Sequence, residues 1–161
     1  MKETRTAQQL VDAHADAILR LSYSYLKNTQ DAQDICQTVL VKLLTQAPTF
    51  ASPAHERAWV LRVTANACKD LLKSPLHTRT CTLEHCAQMA APPPPDSDVI
   101  RAVNDLPAKY RVVIHLHYYE GYSTQEIGQI LGLSTGAVCT RLTRARQQLK
   151  WELEEHEHET I

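Results

Sequence analysis

Four consecutive prolines at residues 92–95 constrain the fold of this chain more than any other feature. Proline cannot continue a helix, and a run of prolines favours an extended polyproline conformation. At about 3.1 Å per residue the run would span on the order of 12 Å, which predicts a semi-rigid linker between two small domains. The predicted boundaries are residues 1–74 for the first domain, 75–98 for the linker, 99–155 for the second domain and 156–161 for a polar tail.

The composition favours helices over strands in both domains. The 161 residues include 4 glycines and 6% aromatic residues, whereas β-sandwiches and barrels need many turns and aromatic strand pairs. In the first domain the apolar residues recur every three to four positions, which is the spacing of amphipathic helices. This spacing predicts three helices, at about residues 7–27, 30–46 and 55–73.

The second domain is predicted to contain four helices, which makes the whole chain all-α. Its first helix begins at Asp98, and Pro107 suits the first turn of the second helix, which Gly121 ends. The apolar side of the first helix is predicted to consist of Val99, Val103 and Leu106.

The third and fourth helices of this domain form one motif within residues 123–149. Ser123 and Glu126 have the spacing of a capping box, Gly132 ends the short third helix, and Ser134 caps a fourth helix that reaches about Glu155. A short helix, a turn with glycine and a second helix are the sequence form of a helix-turn-helix. The residues predicted to share its core are Ile127, Leu131, Leu133, Val138, Leu142, Ala145 and Leu149.

The opposite face of the fourth helix carries the residue types that contact DNA. Residues 134–150 contain four basic residues and no acidic one, although the net charge of the whole chain is −1. A local basic excess attracts phosphate, and short polar side chains and arginine read base edges in the major groove. The residues predicted to contact DNA are Ser134, Thr135, Gly136, Thr140, Arg141, Thr143, Arg144 and Gln147.

The third helix of the first domain has a similar division into two faces. Its core side is predicted to consist of Val60, Val63, Ala67 and Leu71. The opposite side carries a polar strip without an acidic residue, and taken alone such a strip is more often a solvated face than a binding site. The members of this strip are Arg62, Asn66, Lys69 and Lys73.

The order of these features resembles that of the extracytoplasmic-function sigma factors of bacterial RNA polymerase, which contain only the sigma-two and sigma-four domains. The segments that carry the resemblance are DAQDICQTVLVKLL at 31–44, RAWVLRVTANACKDLLK at 57–73 and DLPAKYRVVIHLHYYEGYSTQEIGQILGLSTGAVCTRLTRARQQL at 105–149. Nearly the whole chain is covered, in the order of the family and with its linker. The sequence departs from the family pattern at Gly128, where alanine is common, and at Cys139, where a basic residue is common.

The resemblance implies partners and a place for each of them. Asp31, Asp34 and Gln37 would face the clamp helices of the β′ subunit of core RNA polymerase. The strip on the third helix would read and help to open the minus-ten promoter element, and the last helix would read minus-thirty-five DNA in the major groove. The resemblance leaves open whether an anti-sigma factor also binds the chain.

Two other classes of function remain as alternatives. The first is a free-standing helix-turn-helix regulator whose N-terminal domain senses a ligand or dimerises. The second is a metal or redox sensor centred on the linker, where thiol and imidazole groups lie close in sequence but match no strong zinc signature. The residues of that possible cluster are His77, Cys81, His85 and Cys86.

The remaining features predict no catalysis. The sequence shows no set of nucleophile, base and orienting residue and no glycine-rich phosphate loop, so we expect neither an enzyme nor a cofactor. The start MKETRT lacks the apolar stretch of a secretion signal, and no apolar run approaches the roughly 18 residues that cross a bilayer. We therefore expect a cytoplasmic protein that does not insert into a membrane and that is a monomer when free.

Two aromatic residues and two cysteines of the first domain also have predicted roles. Trp59 is expected to pack between helices, and Phe50 either contacts DNA or holds down the loop that contains it. Cys36 and Cys68 are expected to pack as small apolar residues.

Overall fold

The computed structural model describes residues 6–74 and 98–159, and in the second range it describes the side chains of residues 99–151. Contacts between helices divide the chain into two compact units, Met1–Arg79 and Thr80–Ile161. All of the regular elements in the described ranges are helices, as predicted.

The first unit is a bundle of three helices, each of which packs on the other two. Each helix begins at a side chain that accepts a hydrogen bond from a backbone N–H group of the first turn, because those N–H groups have no partner within the helix. The capping residues are Thr6, Asn28 and Ser52. The helices are α1 (Ala7–Leu26), α2 (Thr29–Gln46) and α3 (Pro53–Lys73).

The third helix differs from the prediction in its start and in its buried face. Pro53 lies in its first turn, two residues before the predicted start at His55. Thr64 and Cys68 are buried, whereas Val63 is only half-buried. Thr64 can be buried because its hydroxyl donates a hydrogen bond of 2.7 Å to the carbonyl oxygen of Val60. The buried face of α3 consists of Glu56, Val60, Leu61, Thr64, Ala65 and Cys68, whereas the predicted core residues Ala67 and Leu71 are half-buried.

The described part of the second unit, from residue 98 onward, contains four α-helices around a core of aliphatic side chains. Its helices are α4 (Asp98–Asp105), α5 (Ala108–Ile114), α6 (Thr124–Leu131) and α7 (Thr135–Glu159), and α5 continues as a π-helical turn, His115–Tyr119. The fully buried residues of this core include Leu106, Val112, Val113, Leu116, Ile127, Ile130, Val138 and Leu142.

A buried arginine closes the first helix of this unit. Nη1 of Arg111 donates hydrogen bonds to the carbonyl oxygens of Leu106, at 2.6 Å, and Asn104, at 3.4 Å. The Asn104 carbonyl lies in the last turn of α4, and the Leu106 carbonyl follows that helix. Neither has a donor from a further helical turn. Arg111 therefore joins the start of α5 to the end of α4.

Three details of this unit differ from the sequence predictions. Val99 is 49% exposed, and Ala102 is buried in its place beside Val103 and Leu106. The π-helical turn has no counterpart in the prediction. The last helix ends at Glu159 rather than near Glu155, so it includes residues that were predicted to be a polar tail.

Candidate nucleic-acid interface

Short-range hydrogen bonds fix the two helices of the helix-turn-helix, α6 and α7. The Ser123 hydroxyl accepts a hydrogen bond from the N–H group of Glu126 at 3.1 Å, and the Glu126 carboxylate accepts one from the N–H group of Ser123 at 3.2 Å. Gly132 ends α6 with a φ of 71°, a left-handed conformation that favours glycine. The Ser134 hydroxyl accepts a hydrogen bond from the N–H group of Ala137 at 3.1 Å and so caps α7. The capping box and both predicted caps are confirmed.

The buried face of α7 leaves its opposite face free for a partner. Val138, Leu142 and Ala145 are at most 1% exposed, and α7 packs against α6, in which Ile127 and Leu131 are buried. The other two residues predicted for this core, Leu133 and Leu149, are half-buried. On the opposite face, the exposed residues are Ser134, Thr135, Gly136, Thr140, Thr143, Arg144 and Gln147, and Arg141 is half-buried at the flank.

The two threonines of this face have a defined hydrogen-bonding capacity. The Thr140 hydroxyl donates to the carbonyl oxygen of Gly136 at 3.0 Å, and the Thr143 hydroxyl donates to that of Cys139 at 2.9 Å. Because each hydroxyl hydrogen is used within the helix, the oxygen is left to accept hydrogen bonds from outside. Such side chains suit the amino groups of adenine or cytosine and the methyl group of thymine in a major groove.

The basic residues of α7 have no carboxylate partner among the described side chains, which on this helix end at residue 151. Among the side chains that the structure describes, none forms an ion pair with Arg141, Arg144, Arg146 or Lys150. Unpaired cations on one helix face retain their attraction for phosphate, whatever the net charge of the chain.

One contact of α7 was missed by the sequence analysis. Nε of Arg146 donates a hydrogen bond of 2.6 Å to the hydroxyl oxygen of Tyr118, and the guanidinium carbon lies 5.5 Å from the centre of the Tyr118 ring. Tyr118 belongs to the π-helical turn that precedes the motif. No short-range pattern signals this contact, because the two residues are 28 positions apart.

In the first unit, the polar strip of α3 is mostly exposed. Arg62, Asn66 and Lys73 are exposed, whereas Lys69 is half-buried. A lysine that is half-buried packs its aliphatic stem and keeps its ammonium group near solvent. The strip is therefore a polar surface, and its charge is less uniformly accessible than the spacing predicts.

The loop before α3 is held by a cluster of three rings. Phe50 meets His55 edge-on, with ring centres 5.4 Å apart, and also meets Trp59, with ring centres 5.6 Å apart. Nδ1 of His55 accepts a hydrogen bond of 3.1 Å from the N–H group of Ala51. Phe50 thus holds the loop against the first turns of α3, and Trp59 packs at the same place.

The outer face of α2 combines polar and apolar residues. Asp34 and Gln37 are exposed, and Asp31 is half-buried in the first turn. Val41 and Leu44 continue the same row at three- to four-residue spacing and are 57% and 49% exposed. Neither residue was predicted to belong to a site, although both lie off the buried face.

Comparison with known proteins covers both units. Residues 10–75 match the family model of sigma-70 region 2, and residues 97–149 match the model of sigma-70 region 4. The chain is 31% identical over 163 residues to the extracytoplasmic-function RNA polymerase sigma factor SigE of Mycolicibacterium smegmatis, covering 94% of this chain and 63% of that protein. The chain belongs to the extracytoplasmic-function sigma factors.

Other similar proteins span almost the same length as this sigma factor. It is 29% identical over 160 residues to the RNA polymerase sigma factor SigV of Bacillus subtilis, covering 95% of this chain and 96% of SigV. The structure of CnrH in complex with the cytosolic domain of CnrY matches with a TM-score of 0.61 and 27% identity, over 92% of this chain and 88% of CnrH. The fold also matches the sigma factor RpoE of Bartonella quintana, with a TM-score of 0.67 and 23% identity, over 91% and 95% of the two chains.

The described part of this sigma factor contains neither a metal-ligating cluster nor a membrane-spanning helix. Within the described ranges, no group of three metal-ligating side chains is present, and the possible cluster at His77, Cys81, His85 and Cys86 lies outside these ranges. None of the helices in the described part of the chain is long and apolar enough to span a bilayer.

The thiol groups of the first unit are protected by burial. Cys36 and Cys68 are buried, as predicted. Burial raises the pKa of the Cys68 thiol to about 12, against a smaller opposing effect of the Ser22 side chain. Burial, with a contribution from the charge of Asp16, also raises the pKa of Cys36. Both residues are thus held as neutral thiols at physiological pH, and Cys139 on α7 is exposed.

Proposed function

We propose that this sigma factor binds core RNA polymerase in the cytoplasm and directs it to a subset of promoters without catalysing a covalent reaction itself. The observation that carries the proposal is the exposed face of residues 134–150, a segment with four basic residues and no acidic one, in a chain that also matches sigma-70 region 2. The match of residues 10–75 to sigma-70 region 2 favours the proposal over a free-standing regulator with a sensing or dimerisation domain in this place.

In this proposal α7 reads the minus-thirty-five element in the major groove. The acceptor oxygens of Thr140 and Thr143 and the guanidinium group of Arg144 face the base edges, because they lie opposite the buried Val138 and Leu142. Ser134, Thr135 and Gly136 lie at the N-terminal end of the helix, and this end of a recognition helix contacts the bases most closely. Arg141 and Gln147 complete the proposed DNA-contacting set.

The minus-ten element is proposed to bind the strip on α3. Arg62 and Lys73 supply positive charge, and Asn66 supplies an amide that can pair with adenine. Lys69 lies within the same strip and contributes charge from a half-buried position. These contacts would hold DNA while its strands separate.

Core polymerase is proposed to bind the outer face of α2. Asp34 and Gln37 provide polar contacts beside Asp31, and Val41 and Leu44 provide exposed apolar area one to two turns further along. Protein interfaces commonly combine an apolar centre with a polar rim. The resemblance to the family supports a contact between this face and the clamp helices of the β′ subunit.

The direct test of this polymerase contact is a double substitution on α2. Asp34→Ala with Gln37→Ala removes two exposed polar side chains and leaves the buried face of α2 unchanged. We expect the tagged variant to retain less core polymerase than the original chain in a pull-down, with an unchanged circular dichroism spectrum.

A matched control is available on α1. Gln8 and Asp12 are also an exposed glutamine and aspartate on one helix face, joined by a hydrogen bond of 2.9 Å. Replacing both with alanine removes the same chemical groups and should leave polymerase binding unchanged. Equal retention of core polymerase by the two folded double variants would contradict the proposed contact.

An anti-sigma factor is proposed as a further partner. CnrH, which is 27% identical to this chain, was solved in complex with the cytosolic domain of CnrY. By analogy, we expect a second protein to bind this sigma factor when it is inactive and to compete with core polymerase. Titration of the isolated complex with core polymerase should release that protein, and retention of both partners together would contradict competition.

A further inference from the structure

The helix before the helix-turn-helix ends in an unusual way. The N–H group of Glu120 bonds to the carbonyl oxygen of His115 at 3.0 Å, which closes the five-residue π-helical turn His115–Tyr119. Leu116 is fully buried in this turn, whereas Tyr118 and Tyr119 are 56% and 60% exposed. Single π-helical turns are rare and occur frequently at functional sites, because they redirect the side chains around them.

Tyr118 is directed toward the last helix, α7, by this turn. Its hydroxyl oxygen accepts the hydrogen bond of 2.6 Å from Nε of Arg146, and its ring lies beside the guanidinium group at 5.5 Å. No described carboxylate pairs with Arg146, and the terminal N–H groups of its guanidinium have no partner among the described residues. Tyr118 thus fixes the direction of a cation whose outer donors are free to bind a ligand.

The position of Arg146 on α7 identifies that ligand. Thr143 precedes Arg146 by three residues and Lys150 follows it by four, so the three side chains form one row along the helix. This row borders the exposed face that is proposed to enter the major groove. The flank of a recognition helix lies beside the phosphates of the groove wall, and arginine binds phosphate oxygens through paired N–H groups.

We propose that Tyr118 is a positioning residue that holds Arg146 in the direction required for a phosphate contact beside the minus-thirty-five element. The proposal rests on the function proposed above for α7. An arginine side chain that is already oriented loses less conformational freedom on binding DNA than one that is free. Because both partners are exposed, the pair contributes little to the stability of the fold, and its effect is expected in DNA binding.

The experiment is a double-mutant cycle in the holoenzyme. Core polymerase is combined with the original chain, with Tyr118→Phe, with Arg146→Ala, or with both changes, and the thermal unfolding of each chain is recorded as a folding control. The probe is a fluorescent promoter duplex selected by the original holoenzyme from random sequences. Its affinity is measured between about 50 and 200 mM salt, where phosphate contacts have a strong effect.

Three results are expected from this cycle. Arg146→Ala should lower the slope of log affinity against log salt concentration by about one. Tyr118→Phe, which removes only a hydroxyl oxygen, should weaken binding by about two- to tenfold. In the Arg146→Ala background the same change should have no effect, because the arginine that Tyr118 positions is absent.

Tyr119→Phe is the matched control for the loss of a hydroxyl group. Tyr119 lies on the same turn with similar exposure, but its ring stacks on His115 at 5.9 Å. Its substitution should leave DNA binding unchanged. Equal effects of Tyr118→Phe with and without Arg146, or equal effects of the two tyrosine substitutions, would overturn the positioning role. Failure of the original holoenzyme to select any duplex would instead contradict the proposed function itself.

Discussion

The carbonyl oxygen of Leu133 lies 2.6 Å from the point that a Cβ atom on Gly128 would occupy. The N–H group of Leu133 also donates a hydrogen bond of 2.8 Å to the carbonyl oxygen of Gly128. The turn between α6 and α7 is therefore closed directly onto the backbone of α6. This closeness leaves no room for a Cβ atom at position 128 unless the turn shifts.

Gly128→Ala is predicted to destabilise the second unit. The added methyl group would contact a backbone oxygen that cannot rotate away, and forced overpacking of this kind costs about 1–3 kcal/mol. The measurement is urea unfolding of the full chain. Gly136→Ala is the control, because a Cβ atom there meets nothing within 4 Å and alanine favours helix by up to about 1 kcal/mol. Equal stability of the two variants would show that the turn relaxes freely.

A buried contact between α1 and α3 gives a second prediction. Nε2 of His14 lies 2.7 Å from Oε1 of Glu56, and both side chains are buried. Glu56→Ala leaves the imidazole without this partner, which should lower the free energy of unfolding by about 1–3 kcal/mol. Glu56→Gln keeps an oxygen at the same place and should be less harmful. The neighbouring Arg57 is exposed, so Arg57→Ala should change stability by less than about 0.5 kcal/mol.

The raised pKa of Cys68 predicts a specific dependence of stability on pH. Its pKa is about 12 in the fold and near 9 when unfolded. Above pH 9 the unfolded chain therefore loses this proton while the folded chain retains it, and the free energy of unfolding falls as pH rises toward 12. Between the two pKa values, one such group lowers the free energy of unfolding by about 1.4 kcal/mol per pH unit. Cys68→Ala should remove this component of the pH dependence. If the free energies of unfolding of the two chains fall in parallel between pH 8 and 10, the prediction is wrong.

The exposed face of α7 predicts the effect of removing one arginine. Arg144→Ala removes a charge opposite the Val138, Leu142 and Ala145 core without changing that core. If Arg144 contacts a base, its loss should weaken promoter binding by the holoenzyme by roughly 1–3 kcal/mol and relax specificity at one position. If it contacts a phosphate, its loss should reduce the slope of log affinity against log salt concentration by about 1. Transcription from the selected promoter in vitro is the readout. Unchanged activity would mean that α7 meets DNA through a different face.

The features that were predictable from the sequence are those that short-range geometry determines. The caps at Ser123, Gly132 and Ser134 depend on residues three or four positions away, and the structure has each of them. The division of α7 into two faces follows from helical spacing in the same way. The fold class and the helices of residues 6–74 and 98–159 were therefore accessible from local patterns.

The features that were not predictable depend on contacts between distant residues. The buried face of α3 includes Thr64 because α3 packs against two helices, and a count of apolar side chains omits it. Lys69 is half-buried and Val99 is exposed, contrary to the prediction. Their exposure depends on packing with other helices, which helical spacing does not reveal. The Tyr118–Arg146 contact needs both the π-helical turn and the fold of the unit, so neither residue could be assigned this role from its neighbours.

Because core polymerase would hold both domains at once, we expect the holoenzyme to bind promoter DNA much more tightly than the free chain does. With a net charge of −1, the free chain has little long-range attraction for DNA, and each basic surface is small. When core polymerase holds both domains, binding of the second becomes effectively intramolecular, and affinity can rise by roughly 10²–10⁴ without a new contact.

The most direct test of this account is the affinity of the purified chain for its promoter duplex at physiological salt, with and without core polymerase. The account predicts weak and poorly selective binding by the chain alone, and tight, sequence-selective binding when core polymerase is added. A scrambled duplex of the same length measures selectivity in both cases. Nanomolar, sequence-specific binding by the chain alone would contradict the account and would identify a free-standing regulator.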